Sequence, residues 1–201
     1  MDYPFHKLDT VHWNRLRNLE AKDVFMRSRC TLIEPHGYYG VDFLGETVWV
    51  DIKKERFLSP LGEVLNFRVE AALAIVVYLI EAKNLPLSGC WVSAKDLKGG
   101  EMFFRGPHSF PVTPLQSKLG ANSERFLNAG RKCGGDKGNF GDVSFQVMAF
   151  PRIPIQVILW LADEDFPARV TFLFDSTIEQ HLPLDVIYGL VSELCIHLTK
   201  D

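Results

Sequence analysis

The chain has 201 residues, of which 47% are hydrophobic and 23% are charged, and its formal net charge is −3. These values are typical of soluble globular proteins and exclude a disordered chain, a collagen-like repeat and a coiled-coil rod. The slight excess of acidic residues argues against a strongly basic nucleic-acid-binding protein. We predict a single domain over residues 1–201, with an N-terminal helix and hairpin as a subregion over residues 1–60.

The first half of the chain alternates between helical and strand-like patterns. A broken apolar stripe predicts a helix over residues 7–29, and β-forming runs on either side of Gly45 predict a hairpin of residues 37–44 and 46–52. After a turn at residues 59–62, the apolar segment 66–83 predicts a central buried helix. Its most apolar run has ten residues, whereas a membrane span needs about 20. With no signal-like N-terminus, a cytoplasmic location is expected.

The second half begins with a long loop and ends in regular elements. Residues 87–114 are rich in glycine, proline and aromatic residues, which predicts a long packed loop with a short helical turn at residues 93–96. Short helices are expected over residues 114–133, strands over 143–150, 155–162 and 169–174, and a final helix over 183–199. Short links favour antiparallel pairing. We therefore predict an α+β fold, with a mainly antiparallel sheet packed against a central apolar helix and terminal helices.

The four cysteines are Cys30, Cys90, Cys133 and Cys195, and no two lie within forty positions of each other. Zinc and iron–sulfur sites usually contain at least one close cysteine pair. We expect reduced thiols that are mostly buried, and no iron–sulfur cluster held by this chain. Cys90 is either a reactive thiol or a small residue buried beside Trp91.

The candidate catalytic residues are Asp163, Asp175 and His181. A carboxylate close to His181 could orient its ring for general-base catalysis, although a capping or surface histidine is the alternative. Asp163, Glu164 and Asp165 are also candidate ligands for a hard cation. Because antiparallel neighbours end at opposite edges of a sheet, we expect Asp175 to lie away from these three residues. The alternative for the acidic residues is a solvated turn with side chains bonded to nearby backbone amides.

The candidate ligand-binding residues are Trp91, Ser93, Gly134, Gly135, Lys137 and Trp160. The glycine-rich segment could hold an anion through exposed backbone amides and basic side chains, or it could be a flexible connection. The tryptophans could line the pocket of a flat cofactor, or they could simply belong to the core.

The last third of the chain carries a recognisable pattern. It consists of Ala149-Phe150-Pro151-Arg152-Ile153-Pro154-Ile155, Trp160, Asp163-Glu164-Asp165-Phe166-Pro167, Leu173-Phe174-Asp175-Ser176 and Leu182-Pro183. This pattern resembles the C-terminal signature of an uncharacterised family of anaerobic bacteria and archaea, domain of unknown function 3786. Upstream, Leu87–Ser93, Gly99-Gly100 and Gly134-Gly135 are similar more loosely. His181 stands where an aromatic hydroxyl is expected before Leu-Pro.

Some members of that family are joined to an iron–sulfur domain with four clustered cysteines, which this chain lacks. The resemblance implies a soluble ligand-binding or accessory domain associated with anaerobic redox or corrinoid metabolism. An iron–sulfur or corrinoid protein is the implied partner, and neither nucleic acid nor a membrane is expected as one. The alternatives are an enzyme that uses Asp or Glu residues with His181, and a structural protein-interaction module.

Overall fold

The computed structural model describes residues 8–200, so the expected start of the first helix at Lys7 and the N-terminal segment before it lie outside the described residues. The helices are α1 (Thr10–Arg17), α2 (Ala21–Ser28), α3 (Val69–Glu81), α4 (Gly100–Phe103), α5 (Thr113–Leu119), α6 (Ser123–Lys132), α7 (Ile178–His181) and α8 (Leu184–Thr199). The strands are β1 (Thr31–Ile33), β2 (Tyr38–Phe43), β3 (Glu46–Asp51), β4 (Arg56–Leu58), β5 (Val64–Leu65), β6 (Trp91–Ser93), β7 (Asp136–Lys137), β8 (Val143–Phe150), β9 (Ile153–Trp160) and β10 (Arg169–Asp175). Short 3₁₀ helices cover Ala94–Asp96 and Gly106–His108.

The first five strands form an antiparallel sheet in the order β1-β2-β3-β4-β5. Its centre is the predicted hairpin, in which Gly45 takes a φ of +88° at the turn between β2 and β3. The turn predicted at residues 59–62 is also present, since the N–H of Gly62 donates to the carbonyl of Ser59 over 2.8 Å. This turn connects β4 to β5.

The other five strands form a second antiparallel sheet in the order β6-β10-β9-β8-β7. The expectation of a strand over residues 155–162 is wrong by two residues, because β9 begins at Ile153 and includes Pro154. A proline cannot donate to a strand ladder and is tolerated at bulges. Here the register shifts between Met148 and Phe150, opposite Pro154, so this irregularity accommodates the proline.

The second sheet has one apolar face and one mixed face. Val147, Val157 and Phe172 alternate with outward residues and are buried with the core. The opposite face carries, by the same alternation and register, Trp91, Ser93, Gln146, Gln156, Trp160 and Arg169. Most of the ligand-binding candidates of this region therefore share the outer face of one sheet.

The helices bury their apolar residues against both sheets in one continuous set of buried side chains. The buried residues of α3 include Ala71, Ile75 and Tyr78, as expected for the central helix. The Tyr78 ring stacks on Phe150 at 4.3 Å. The predicted α+β fold, with antiparallel strands packed against a central apolar helix and terminal helices, is confirmed, although the strands form two sheets where one was expected. None of the described helices is long and apolar enough to span a bilayer.

The single helix predicted over residues 7–29 is wrong, because the chain forms α1 and α2 with a break between them. Glu20 takes an extended conformation with φ −68° and ψ 125°. With this break, Trp13 and Leu16 on α1 and Val24 on α2 are all buried. The sequence between Leu16 and Val24 offers only half-buried Leu19 to hold a continuous helix against the core.

Candidate functional site

A cavity of about 870 Å³ opens beside the loop that joins β9 to β10. The strand ends contribute Trp160 and Arg169 to its wall, and the loop contributes Phe166 and Pro167. Gln116 and Ser117 on α5 and Asp142 before β8 complete the polar part of the lining, together with Asp163. The volume lies in the range of about 300–1,000 Å³ that is typical of small-molecule sites.

Trp160 and Arg169 form the centre of this site because they are direct cross-strand partners at the end of the β9–β10 pair. The guanidinium carbon of Arg169 lies 5.7 Å from the centre of the indole ring. Trp160 is 41% exposed, which is unusual for so large an apolar side chain, and Phe166 is 69% exposed. Within residues 8–200, Arg169 forms no ion pair with a carboxylate. Its charge is therefore available to a ligand in the cavity.

Two aspartates give the loop its shape. The Asp163 carboxylate accepts hydrogen bonds from the N–H groups of Asp165 and Phe166, at 2.9 and 2.7 Å. The Asp142 carboxylate accepts the N–H of Leu161 at 2.8 Å and so ties the start of the loop to the segment before β8. Asp163 therefore forms a turn by accepting bonds from nearby backbone amides, which was the alternative to a role in cation binding. Its side chain also lines the cavity.

The acidic cluster shows no cation site. The residues Glu164 and Asp165 are exposed on the loop, and Asp175 lies at the opposite end of β10, as the antiparallel pairing predicted. Across the described part of the chain, no group of three or more His, Cys, Asp or Glu side chains is arranged to hold a metal ion.

Gly141 brings the segment before β8 into contact with the site. It has a φ of +57°, and a Cβ atom there would lie 2.5 Å from Ile158 Cγ2 and 3.5 Å from Trp160 Cε2. Only glycine combines this backbone conformation with so close an approach to β9. The glycine therefore holds the edge of the cavity beside the indole.

Trp91 and Ser93 share the outer face with Trp160 but do not line the cavity. The Trp91 ring packs edge-on against Phe140 at 6.4 Å. Ser93 caps the 3₁₀ helix that follows it, because its N–H and hydroxyl both donate to the carboxylate of Asp96, at 2.8 and 2.7 Å. These bonds lower the pKa of Asp96 and give Ser93 a structural role.

The glycine pair at residues 134 and 135 ends α6 rather than forming an anion site. The N–H of Gly134 donates to the carbonyl of Arg131 at 3.0 Å, and the N–H of Gly135 donates to that of Gly130 at 2.9 Å. With Gly134 at φ +69°, this is the Schellman arrangement of a helix C-terminus. The backbone amides that the anion hypothesis needs are already bonded, and Lys137 is exposed on the edge strand β7.

Asp175 is an anchor for the segment that leads into β6. Its two carboxylate oxygens accept from the N–H groups of Ser88, Gly89 and Thr177 and from the hydroxyls of Ser88 and Thr177, at 2.7–3.1 Å. Burial would raise the pKa of Asp175, but these bonds outweigh it and lower the pKa to about 2. Every described contact of this carboxylate is structural.

His181 is buried, with 1% of its surface exposed, which rules out the surface-histidine alternative. Its Nδ1 accepts the backbone N–H of Lys83 at 3.1 Å, so the main chain orients the ring and the carboxylate of Asp175 does not. Burial lowers the pKa of His181 to about 4, and the positive charge of Arg152 contributes in the same direction. A neutral ring with Nδ1 occupied carries its proton on Nε2, so this nitrogen can donate a hydrogen bond but cannot act as a base.

All four cysteines are free thiols and three of them are buried, as predicted. Burial raises the pKa of Cys133 to about 11 and that of Cys195 to about 12, so both stay protonated at neutral pH. The expected burial of Cys90 beside Trp91 is wrong. Cys90 is exposed because the segment before β6 runs along the surface, held there by Asp175.

Several residues of the cavity did not emerge from the sequence. The positive charge of the cavity comes from Arg169, its most exposed ring is Phe166, and Asp142 holds the start of the loop in place. Only Trp160 and Asp163 had been candidates. One partial signal was present: Trp160 lies near the end of one predicted strand and Arg169 begins the next, so antiparallel pairing places both at the same end of the strand pair, and the observed end of β9 makes them direct partners.

Comparison with known proteins identifies the family of this chain but does not identify its function. A family model described as "Domain of unknown function (DUF3786)" matches residues 20–197, which is most of the chain. Searches of curated proteins and of solved structures find no match. The chain therefore belongs to the DUF3786 family, in agreement with the resemblance seen in its last third.

Proposed function

We propose that this protein is a cytoplasmic small-molecule-binding domain whose ligand occupies the cavity beside the β9–β10 loop. The observation that carries the proposal is the exposed Trp160 ring beneath the guanidinium of Arg169, which forms no ion pair within residues 8–200, inside a cavity of about 870 Å³. Trp160 and Phe166 both line this cavity and are both exposed, and exposed apolar surface that is concentrated in one place often marks a binding site.

The lining indicates the chemical class of the ligand. Trp160 and Phe166 offer aromatic surface for a planar molecule, and Arg169 offers a forked donor for a carboxylate or phosphate group. Gln116 and Ser117 add polar contacts on the α5 side. The ligand that fits this description is a planar organic molecule with an anionic substituent.

The family resemblance implies a metabolic context for this proposed ligand-binding domain. It implies an accessory role in anaerobic redox or corrinoid metabolism, with an iron–sulfur or corrinoid protein as partner. A planar anionic ligand is compatible with that chemistry, because redox cofactors are commonly planar and carry phosphate or carboxylate groups. The enzyme and interaction-module alternatives stay as predictions, although the bonds of Asp175 and His181 favour structural and donor roles over acid–base catalysis.

The test begins with protein purified without oxygen, whose absorption spectrum and metal content show whether a cofactor is already bound. Flavin mononucleotide, a planar ring system with a phosphate, is then titrated while its fluorescence is recorded, and cobinamide is titrated in a parallel absorption experiment. We expect saturable binding of flavin mononucleotide with one site per chain. The Trp160→Leu variant should bind about two- to thirteenfold more weakly, since it loses an aromatic contact worth about 0.5–1.5 kcal/mol.

The matched control is Trp49→Leu, which removes a half-buried tryptophan on β3, outside the cavity. Its affinity should equal that of the wild type. Absence of saturable binding by either probe, or equal affinity in the Trp160→Leu variant, would refute the proposed site.

A further inference from the structure

A second cavity, of about 350 Å³, lies between the start of α3, the end of α6 and the last two turns of α8. The turn between β2 and β3 meets the end of α6 at the edge of this cavity, because a Cβ atom at Gly45 would lie only 2.6 Å from the backbone of Cys133. None of the residues that line this cavity also lines the cavity beside Trp160. The site is therefore separate from the one assigned above and is independent of its function.

One face of α8 supplies most of the chemistry of this cavity. The residues of this face recur every three or four positions, and all of them line the cavity: Glu193, Ile196, His197 and Lys200. At a rise of about 1.5 Å per residue, His197 lies about 6 Å beyond Glu193 along the helix axis and about 4.5 Å before Lys200. An acidic group and a basic group therefore stand on either side of one imidazole ring.

Two acceptors on this face receive no hydrogen bond from the described residues. The Nδ1 of His197 lies 2.9 Å from the carbonyl oxygen of Glu193, which can only accept, so Nδ1 carries the proton and Nε2 keeps its lone pair. Burial lowers the pKa of His197, which keeps the ring neutral at pH 7. Glu193 is 4% exposed, and its Oε1 lies 2.8 Å from the guanidinium of Arg68. Solvent reaches Oε2 of Glu193 and Nε2 of His197, whereas Oε1 is fully buried.

Two lysines bring positive charge to the same cavity. Within residues 8–200, neither Lys132 at the end of α6 nor Lys200 forms an ion pair with a carboxylate. Burial and the charge of Glu46 raise the pKa of the Cys133 thiol, which also lines the cavity. The charges of Lys200 and Lys132 both oppose that rise, so the two ammonium groups lie within electrostatic reach of one thiol. Lys200 acts in the same way on Glu193.

The combination of charges restricts what this cavity can bind. A metal ion is disfavoured because three cationic side chains, Arg68, Lys132 and Lys200, line the cavity. A simple anion would leave the acceptors of Glu193 and His197 unfilled, and a simple cation would leave the two lysines unpaired. A zwitterion with an ammonium group beside a carboxylate satisfies both sets of groups.

We propose that this second cavity binds a free α-amino acid, whose ammonium group donates to Oε2 of Glu193 and to Nε2 of His197. The carboxylate of the amino acid pairs with the ammonium groups of Lys132 and Lys200. Phe67 lines the cavity together with Ile196, and this apolar part accommodates a small aliphatic side chain. The class of ligand is identified by this charge pattern alone.

The probe is L-leucine, titrated into the protein at neutral pH by isothermal calorimetry. Two matched probes each remove one charge from leucine, because isocaproate lacks the ammonium group and isoamylamine lacks the carboxylate. We expect saturable binding of leucine with one site per chain. Each matched probe should bind at least about tenfold more weakly, since it loses a charge-assisted contact. Equal affinity for leucine and either matched probe, or no saturable binding of leucine, would overturn the proposal.

Variants test the two ends of the site separately. Glu193→Gln keeps the size of the side chain and removes its charge, so leucine should bind at least about tenfold more weakly. Lys200→Met should weaken leucine binding at least about threefold, whereas its matched control Lys53→Met, an exposed lysine between β3 and β4, should not. If Glu193→Gln does not fold, Ile196→Trp tests the same proposal, because it fills the cavity and leaves both acceptors in place. Undiminished leucine binding in Glu193→Gln or in Ile196→Trp would overturn the proposal, and Trp160→Leu should leave this site unchanged.

Discussion

Replacing Asp175 with asparagine should destabilise the protein by about 3–5 kcal/mol at neutral pH. The carboxylate is 2% exposed and accepts five hydrogen bonds from Ser88, Gly89 and Thr177. Its pKa is lowered from 3.8 to about 2, which corresponds to about 2 kcal/mol of stability from the charged form. Asparagine keeps one acceptor oxygen but turns an amide group toward the N–H of Gly89, which adds the cost of an unpaired buried donor, about 1–3 kcal/mol.

The pH dependence of this difference follows from the direction of the pKa shift. Because the folded pKa lies below the unfolded value, the stabilisation by Asp175 is complete above about pH 4 and is lost as the pH falls through about 2. Urea denaturation of wild type and Asp175→Asn should therefore show a difference that shrinks by about half of its charge-dependent part near pH 3. Asp163→Asn, on the exposed loop, is the control and should change stability by less than about 1 kcal/mol. A pH-independent difference between wild type and Asp175→Asn would refute the reasoning.

Three further changes test buried contacts elsewhere in the fold. Arg152→Met should lower the free energy of unfolding by about 3 kcal/mol in urea denaturation, because this 4%-exposed guanidinium donates to three backbone carbonyls and an amide oxygen. Its control is Arg169→Met, which should lower the free energy of unfolding by less than about 0.5 kcal/mol. Gly141→Ala and Gly106→Ala both place alanine at a positive φ, but only the Cβ at position 141 would lie 2.5 Å from another atom, Ile158 Cγ2. Gly141→Ala should therefore lower the free energy of unfolding by at least about 1 kcal/mol more than Gly106→Ala in melting experiments. Burial lowers the pKa of His181 to about 4, so the folded state binds this proton less readily than the unfolded state does. The free energy of unfolding should therefore be at its full value above pH 6.5 and should fall by about 3 kcal/mol as the pH falls to 4. Replacement by glutamine should remove that pH dependence, and an unchanged acid profile would contradict the lowered pKa of His181.

Elements with a strong local signal could be predicted from the sequence. The alternation of Val143, Phe145 and Val147 identified β8 and its buried face, and the apolar run over α3 identified the central helix. Where tertiary packing overrides the local signal, the prediction was wrong. Pro154 lies inside β9 because a register shift in β8 accommodates it, and a pattern in one strand does not reveal an irregularity in its neighbour.

In the candidate site too, features with a local sequence signal could be predicted and features that depend on tertiary contacts could not. Trp160 was a candidate because of its residue type, but Arg169 is identified as its partner only by the observed end of β9, two residues before the predicted end. The bonds that Asp175 accepts from Thr177 are of the local kind that the sequence offered as an alternative. Its bonds from Ser88 and Gly89 and the contact of His181 with Lys83 could not be predicted, because these residues are roughly ninety positions away in the sequence. Gly134 and Gly135 suggested an anion loop, but the same residues satisfy the end of a helix, and only the three-dimensional arrangement distinguishes the two.

The central claim is that Arg169 and Trp160 together bind a planar anionic molecule, and the most direct measurement is the affinity ratio of flavin mononucleotide to riboflavin. The two probes share the planar ring, and only the former carries the phosphate. The wild type should prefer flavin mononucleotide by at least about tenfold, as expected for one charge-assisted contact, and Arg169→Met should bind both probes equally. An unchanged preference in Arg169→Met would contradict the proposed site.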